Sequence, residues 1–366
     1  MRALVDTGSK VTVMTADASP EVEQRIRALG VEFRPYSIQR NAMSISSDRQ
    51  TLTELRTALA ELKPTTILAY TIKPIIWGGI AWRSSAARRC NETRFFALVT
   101  GLGYAFQGGS LKRRVLSTIV TKLYRTALRH ATAVIFQNAD NRDLFVERRI
   151  VDAAKCHVVS GSGINVAEFA QSPLSKKPPV LKIDGPAGPP HFLLIARLLG
   201  EKGIREYCRA AEQVKAKVPE ARFSLVGPED PSPDGISLEE IKRWHDAGTI
   251  HYHGATTDVR PFLQDCHIYT LPSYHEGMPR TVLEAMATGR PILTTEVPGC
   301  KETVQQGVNG WLVPKADADA LAERMLWFIE NRDQWQTMAD ASRKLAEEKF
   351  DVRIVNQQML AIMGLE

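Results

Sequence analysis

Short apolar runs rich in branched residues alternate with longer amphipathic stretches along almost the whole chain, and this alternation is the tightest constraint on its fold. An apolar run of about four to eight residues reads as a strand buried on both faces, and a following stretch with period near 3.6 reads as the helix that covers it. Strands joined through helices pair in parallel, so the pattern predicts an α/β architecture with helices on both faces of each sheet. The first half predicts strands at 11–15, 31–36, 66–70, 94–99, 133–137 and 157–159, with helices near 20–29, 48–61, 75–87, 111–129 and 138–148. Pro173, Pro178, Pro179, Pro186, Pro189 and Pro190 then interrupt the pattern, which marks a linker over 173–190. Alternation restarts with strands at 191–196, 222–226, 249–253, 268–272, 291–295 and 310–313, and helices at 203–217, 237–246, 258–265, 279–288, 300–306 and from 318 onward. Two domains are expected, 1–172 and 191–349, with an amphipathic tail over 350–366 crossing back to the first; a length of 366 residues suits that number.

Composition closes off other classes. The longest apolar stretch, Ile67 to Trp82, is interrupted by Lys73-Pro74, short of the ~20 residues a membrane span needs. No charged segment followed by an apolar one opens the chain, so it does not read as an exported protein. Cys90, Cys156, Cys208, Cys266 and Cys300 are scattered singly, which fits reduced thiols rather than a disulfide framework or a zinc site. Charge is uneven: residues 1–172 hold 24 Lys+Arg against 14 Asp+Glu, a balance of +10, while the remainder carries −4. Between Lys73 and Arg129 eleven basic residues face one acid, Glu92, and apolar residues such as Trp77, Trp82, Leu111, Val115 and Leu116 are interleaved with them. That mixture suits a membrane surface, where apolar groups dip into the interface and cations meet anionic head groups; a solvated basic face and a nucleic-acid surface are the other readings.

In an open parallel sheet, ligands bind beyond the carboxyl ends of the strands, where loop amides and helix N-termini converge. Those ends in the second half carry Arg197, Gly200, Lys202 and Gly203, then Gly227, then His275, Glu276, Gly277 and Met278, then Glu296. Two cations five residues apart, glycines that admit close backbone approach, and a helix opening at Pro279 make a site for a diphosphate. Arg197 can grip phosphate oxygens in a bidentate fork and Lys202 can add a point charge. Glu276 and Glu284 in the same stretch would repel a diphosphate unless they accept hydrogen bonds from neutral hydroxyls, such as those of a ribose and a second sugar. Either glutamate taken singly is equally a solvated or salt-bridged surface residue.

The run Tyr274-His-Glu-Gly-Met-Pro-Arg-Thr-Val-Leu-Glu284 resembles the E-x7-E signature of the retaining glycosyltransferases of family four. The similarity continues through Arg197-Leu-Leu-Gly-Glu-Lys202-Gly, Val226-Gly, Gly254, Gly289-Arg-Pro, Val297-Pro-Gly and Gly307-Val-Asn-Gly, covering residues 191–330 densely. The resemblance implies the GT-B fold, two Rossmann-like parallel-sheet domains facing a cleft. It further implies that Arg197 and Lys202 bind the donor diphosphate, Glu284 the ribose and Glu276 the donor sugar, with Gly227, His275, Gly277, Met278 and Pro279 around the nucleotide-sugar. His275 reads equally well as loop packing. The first half, through Tyr70-Thr-Ile-Lys-Pro, Val99-Thr-Gly-Leu-Gly-Tyr and Ser160-Gly-Ser-Gly-Ile-Asn, is similar to members acting on undecaprenyl-diphosphate-linked sugars in bacterial surface polysaccharide assembly. By that likeness Lys73, Thr100, Gly101 and Gly103 lie on the acceptor side. Transfer of a hexose or N-acetylhexosamine from a UDP-sugar is implied, with retention and without metal or other cofactor, on the inner face of the cell membrane and with no nucleic-acid partner.

Family members begin with a strand and a glycine-rich loop; here Met1 to Gly8 reads as the last turn of a helix, so that start is expected to be missing. This motivates an alternative, a non-catalytic nucleotide-sugar-binding partner of a polysaccharide assembly complex. An epimerase on the same fold is disfavoured by the paired glutamates. Asp317-Ala-Asp319 matches a metal motif but precedes a helix and reads as its cap. His251 and His253 share a strand face without a third ligand at suitable spacing, so a structural role is expected. Gly101-Leu-Gly103 lacks the third glycine of a dinucleotide fingerprint.

Overall fold

The computed structural model describes residues 1–16, 18–38, 45–84, 93–102, 106, 111–174 and 188–366. The expectations on Gly103 and on most of the 173–190 linker fall outside them. The chain divides into two compact units, Met1–Val159 with Asn356–Glu366, and Ser160–Val355.

In the first unit β1 (Thr12–Thr15) pairs in parallel with β2 (Glu32–Pro35), and β3 (Thr66–Tyr70), β4 (Arg94–Val99), β5 (Ala133–Phe136) and β6 (Cys156–Val158) form a parallel sheet in that order. Phe95 to Val99 are all buried, as the uninterrupted apolar run of a strand covered on both faces requires. The helix Ile72–Arg83 starts three residues earlier than predicted. Pro74 falls in its first turn, where a missing N–H removes no intrahelical bond, so the proline does not delay the start. Gly79 lets this helix press onto Leu111–Leu128, since a Cβ there would meet the Ala127 carbonyl oxygen at 2.8 Å.

The second unit is a six-stranded parallel sheet in the order β12-β11-β10-β7-β8-β9, built from β7 (His191–Ile195), β8 (Arg222–Val226), β9 (His251–Tyr252), β10 (Ile268–Leu271), β11 (Ile292–Thr295) and β12 (Gly310–Val313). The first strand of this unit sits between its second and its fourth, so chain direction across the sheet reverses between β7 and β10. That is the switch point of a doubly wound fold. The predicted helix over 300–306 shrinks to one 3-10 turn, Lys301–Thr303. The single long helix expected from 318 is two, Ala318–Glu330 and Trp335–Lys349. The side chain of Asn331 bonds back to the Trp327 carbonyl at 2.8 Å and closes the first of them.

The boundary between units also differs from the expected one, lying at Val159/Ser160 rather than in the proline-rich stretch. Apolar burial decides it: Ile164, Val166 and Phe169 share a core with Val282, Leu283, Met286 and Phe350. Ile164 adds backbone bonds to Phe350 (2.8 Å) and Val352 (2.9 Å), and buried Arg290 donates to the Ser172 and Leu263 carbonyls. Prolines mark where regular structure stops, not where a core ends. The last helix, Val352–Met363, runs across the other boundary. No helix among the described residues is long and apolar enough to cross a membrane.

Candidate active site

Three glycines assemble the site by letting strand ends touch. Gly227, at the end of β8, has φ 151°, and a Cβ there would overlap the Ala196 carbonyl oxygen beyond β7. Gly203 (φ 70°) closes the turn Gly200–Lys202 and leaves no room for a side chain against the Pro272 carbonyl beyond β10. Gly299 (φ 86°), beyond β11, sits against the Glu276 backbone, where a Cβ would come within 2.5 Å of the carbonyl oxygen. Hydrogen bonds lock the same loops: Tyr274 N donates to Glu201 O at 2.8 Å, Ser273 Oγ to the same oxygen at 3.2 Å, and Glu276 N to Pro298 O at 3.1 Å.

The result is an ion pair, with Lys202 Nζ 2.6 Å from Glu276 Oε1 and both side chains about 15% exposed. Two residues on different loops, 74 apart in sequence, thus meet at the switch point. Arg197 is placed differently. Its side chain is 58% exposed and its guanidinium pairs with Asp230, which is 6% exposed in the segment after β8. Glu284 is buried and accepts from Arg280 Nε at 2.9 Å; burial pushes its carboxyl pKa above the usual range, and Arg280 opposes the rise. Pro279 is the cap residue preceding the helix Arg280–Ala287 rather than its first residue, and Met278 packs against Gly161. His275 is half-buried and Gly277 buried in the same loop.

On the first unit Lys73 Nζ lies 3.1 Å from Asp48 Oδ1 in a largely buried pair. Thr71, which leads into its helix, has φ 66° and ψ 168°, a conformation otherwise reserved for glycine. Thr100 and Gly101 follow β4 at the same, carboxyl, end of the sheet. Sequence reasoning missed Asp230 and Arg280. Arg280 was recoverable, being four residues before Glu284 on one helix. Asp230 was recoverable only in part: Pro228-Glu-Asp-Pro-Ser-Pro-Asp signals a turn but not which cation it faces.

The remaining motifs have structural partners. Asp317 Oδ1 accepts from Ala320 N at 2.9 Å as a helix cap, and Asp319 accepts from Gln213 at 2.6 Å. His253 is 3.1 Å from Ser224 Oγ, its ring 4.3 Å from that of His251, and burial lowers its pKa to about 4. Among the described residues no cluster of His, Cys, Asp or Glu is arranged to hold a metal ion.

Residues 189–331 match the family described as glycosyl transferases group 1, and residues 1–161 match the glycosyl transferase 4-like domain. The chain is a glycosyltransferase. Across 99% of its length and 93% of the relative's, this glycosyltransferase is 29% identical to the N,N'-diacetylbacillosaminyl-diphospho-undecaprenol alpha-1,3-N-acetylgalactosaminyltransferase of Campylobacter jejuni. It is 24% identical to the UDP-Gal:alpha-D-GlcNAc-diphosphoundecaprenol alpha-1,3-galactosyltransferase of Escherichia coli, over 79% of this chain and 73% of that one. Its fold matches the crystal structure of Anabaena HepE in complex with UDP and glucose, with a TM-score of 0.77, 20% identity, and coverage of 99% and 94% of the two chains. The sucrose-phosphate synthase of Thermosynechococcus elongatus gives a TM-score of 0.74 at 19% identity, covering 99% and 96%. The glycosyltransferase therefore has the GT-B architecture of two Rossmann-like domains.

Proposed function

We propose that this glycosyltransferase moves a hexose or N-acetylhexosamine from a UDP-sugar onto a polyprenyl-diphosphate-linked sugar in bacterial polysaccharide synthesis, with retention at the transferred carbon. The observation that carries the reading is the meeting of Lys202 and Glu276 at the switch point of the second unit, with Arg197 on the loop after β7 and buried Glu284 on the helix Arg280–Ala287. Relatives named for undecaprenyl-diphosphate-linked acceptors support the acceptor class.

The chemistry follows from the charges. The bond between the anomeric carbon and the diphosphate oxygen breaks, and Arg197 and Lys202 stabilise the negative charge growing on the leaving oxygen. The acceptor hydroxyl oxygen bonds to the same face of the carbon, and its proton passes to the departing phosphate, so no protein base is required. In this reading the protein's own cations, rather than a metal ion, hold the diphosphate. Glu284 accepts from the ribose hydroxyls and Glu276 from the sugar. On the first unit, Val115 and Ile119 are 54% and 43% exposed on a helix that also presents Arg114 and Lys122, which supports seating on the inner face of the membrane.

The test is to incubate the protein with a panel of UDP-sugars and a short-chain polyprenyl-diphosphate sugar. Transfer product with α-linkage is expected from one donor. Absence of product across the panel, with the protein folded, would end the enzymatic reading, and a β-linked product would end the retaining one.

A further inference from the structure

Arg197 and Asp230 differ in exposure as well as in charge. Asp230 is fixed: its Oδ1 accepts from Ser232 N at 2.9 Å, and Gly235 packs directly on its carbonyl oxygen. The segment carrying it is stitched to the loop after β7 by Leu198 N to Pro228 O (2.9 Å), Ile236 N to Leu198 O (2.8 Å) and Glu201 N to Asp234 Oδ2 (2.7 Å). Arg197, by contrast, is mostly in solvent and touches Asp230 only through one end of its guanidinium. A buried, braced carboxylate thus holds an exposed cation at one end only. Against burial, the Ser232 hydrogen bonds and Arg197 keep the Asp230 carboxyl below its usual range, so it is charged at neutral pH.

We infer that Asp230 is a positioning residue that competes with the donor's diphosphate for Arg197 and so sets how long UDP stays bound. The inference rests on the reading of Arg197 given above. When the nucleotide-sugar arrives, the guanidinium leaves Asp230 for the phosphate oxygens; after transfer, Asp230 retakes Arg197 and the nucleoside diphosphate departs. A carboxylate fixed beside a diphosphate site opposes anion binding, and that opposition is useful only if product must leave. Lys202, paired with Glu276 deeper in the site, is the cation that stays.

Asp230→Asn removes the charge but keeps an oxygen for Ser232 N. The expected result is UDP binding tightened about three- to fivefold by calorimetry, as suits a partly screened pair, with a matching fall in the UDP off-rate in stopped flow. Asp230→Glu should restore wild-type behaviour in part. In an Arg197→Ala background the Asn substitution should have no effect, because the competitor then has nothing to hold. Weaker or unchanged UDP binding in Asp230→Asn overturns the inference, as does equal tightening with and without Arg197, which would report a general field effect. If Arg197→Ala alone leaves UDP affinity unchanged, the underlying assignment of Arg197 fails first and the inference falls with it.

Discussion

Lys202 and Arg197 share a loop but not an environment, and substitution should separate them. Arg197→Ala removes an exposed side chain but leaves buried Asp230 with only its Ser232 hydrogen bonds, so stability should fall by about 1 kcal/mol or less while kcat/KM falls by about 100-fold or more. Lys202→Ala removes the cation paired with the mostly buried Glu276 carboxylate, so a loss of about 1–3 kcal/mol should accompany the loss of transfer, and Lys202→Ala with Glu276→Gln should recover part of the stability but not the activity. Chemical denaturation beside steady-state kinetics checks both; equal stability loss in the two single variants contradicts the assignment. Thr71 adds a third case. A branched residue at φ 66° and ψ 168° is strained, so Thr71→Gly should stabilise the fold by about 1 kcal/mol, whereas Thr71→Ala should not.

Among elements, strands and their order along the chain were legible because the central ones, such as β4, β5 and β7, are short runs dominated by apolar residues, while helix ends were not, because caps and first-turn residues decide them. The helix expected from 75 begins at Ile72, with Pro74 in its first turn; Asn331, an inconspicuous polar residue, splits what periodicity reads as one helix. Of the site, the spacing of Glu276 and Glu284 was visible along one continuous run, and the cations Arg197 and Lys202 were visible since the loop that holds them carries glycines. The Lys202–Glu276 pair and the Arg197–Asp230 pair were not, because contact between loops depends on which strands are neighbours in the sheet. The residue that follows the edge strand β9 gives a pH prediction. His253 lies beside Ser224, His251 and Phe262, with His191, Arg222 and Asp265 also within electrostatic reach. Its folded pKa is depressed to about 4 by burial, so the unfolded chain binds the extra proton first, and stability should fall as pH drops from about 6.5 toward 4. Thermal melts across that range should show a shallower slope for His253→Gln; an unchanged slope assigns the acid sensitivity elsewhere.

For the whole molecule, the position of the boundary predicts which fragments fold. A piece spanning Ser160–Val355 keeps Ile164, Val166, Phe169 and Phe350 in their core and should melt cooperatively by circular dichroism. A piece cut at 191–349, as proline content alone would direct, loses all four and should be less stable by several kcal/mol or fail to fold, since each deleted large apolar side chain costs about 2–5 kcal/mol. Equal melting of the two pieces would show that residues 160–174 merely lie on the surface. The glycines at 203, 227 and 299 carry a last consequence. None bears a group that could react or grip a ligand, yet a single methyl at any of them would wedge apart the loops that frame the pocket. A survey of tolerated substitutions across this lobe should therefore return three silent positions as intolerant as its ionic ones, and a reader ranking importance by chemistry alone would overlook the hinges on which that chemistry hangs.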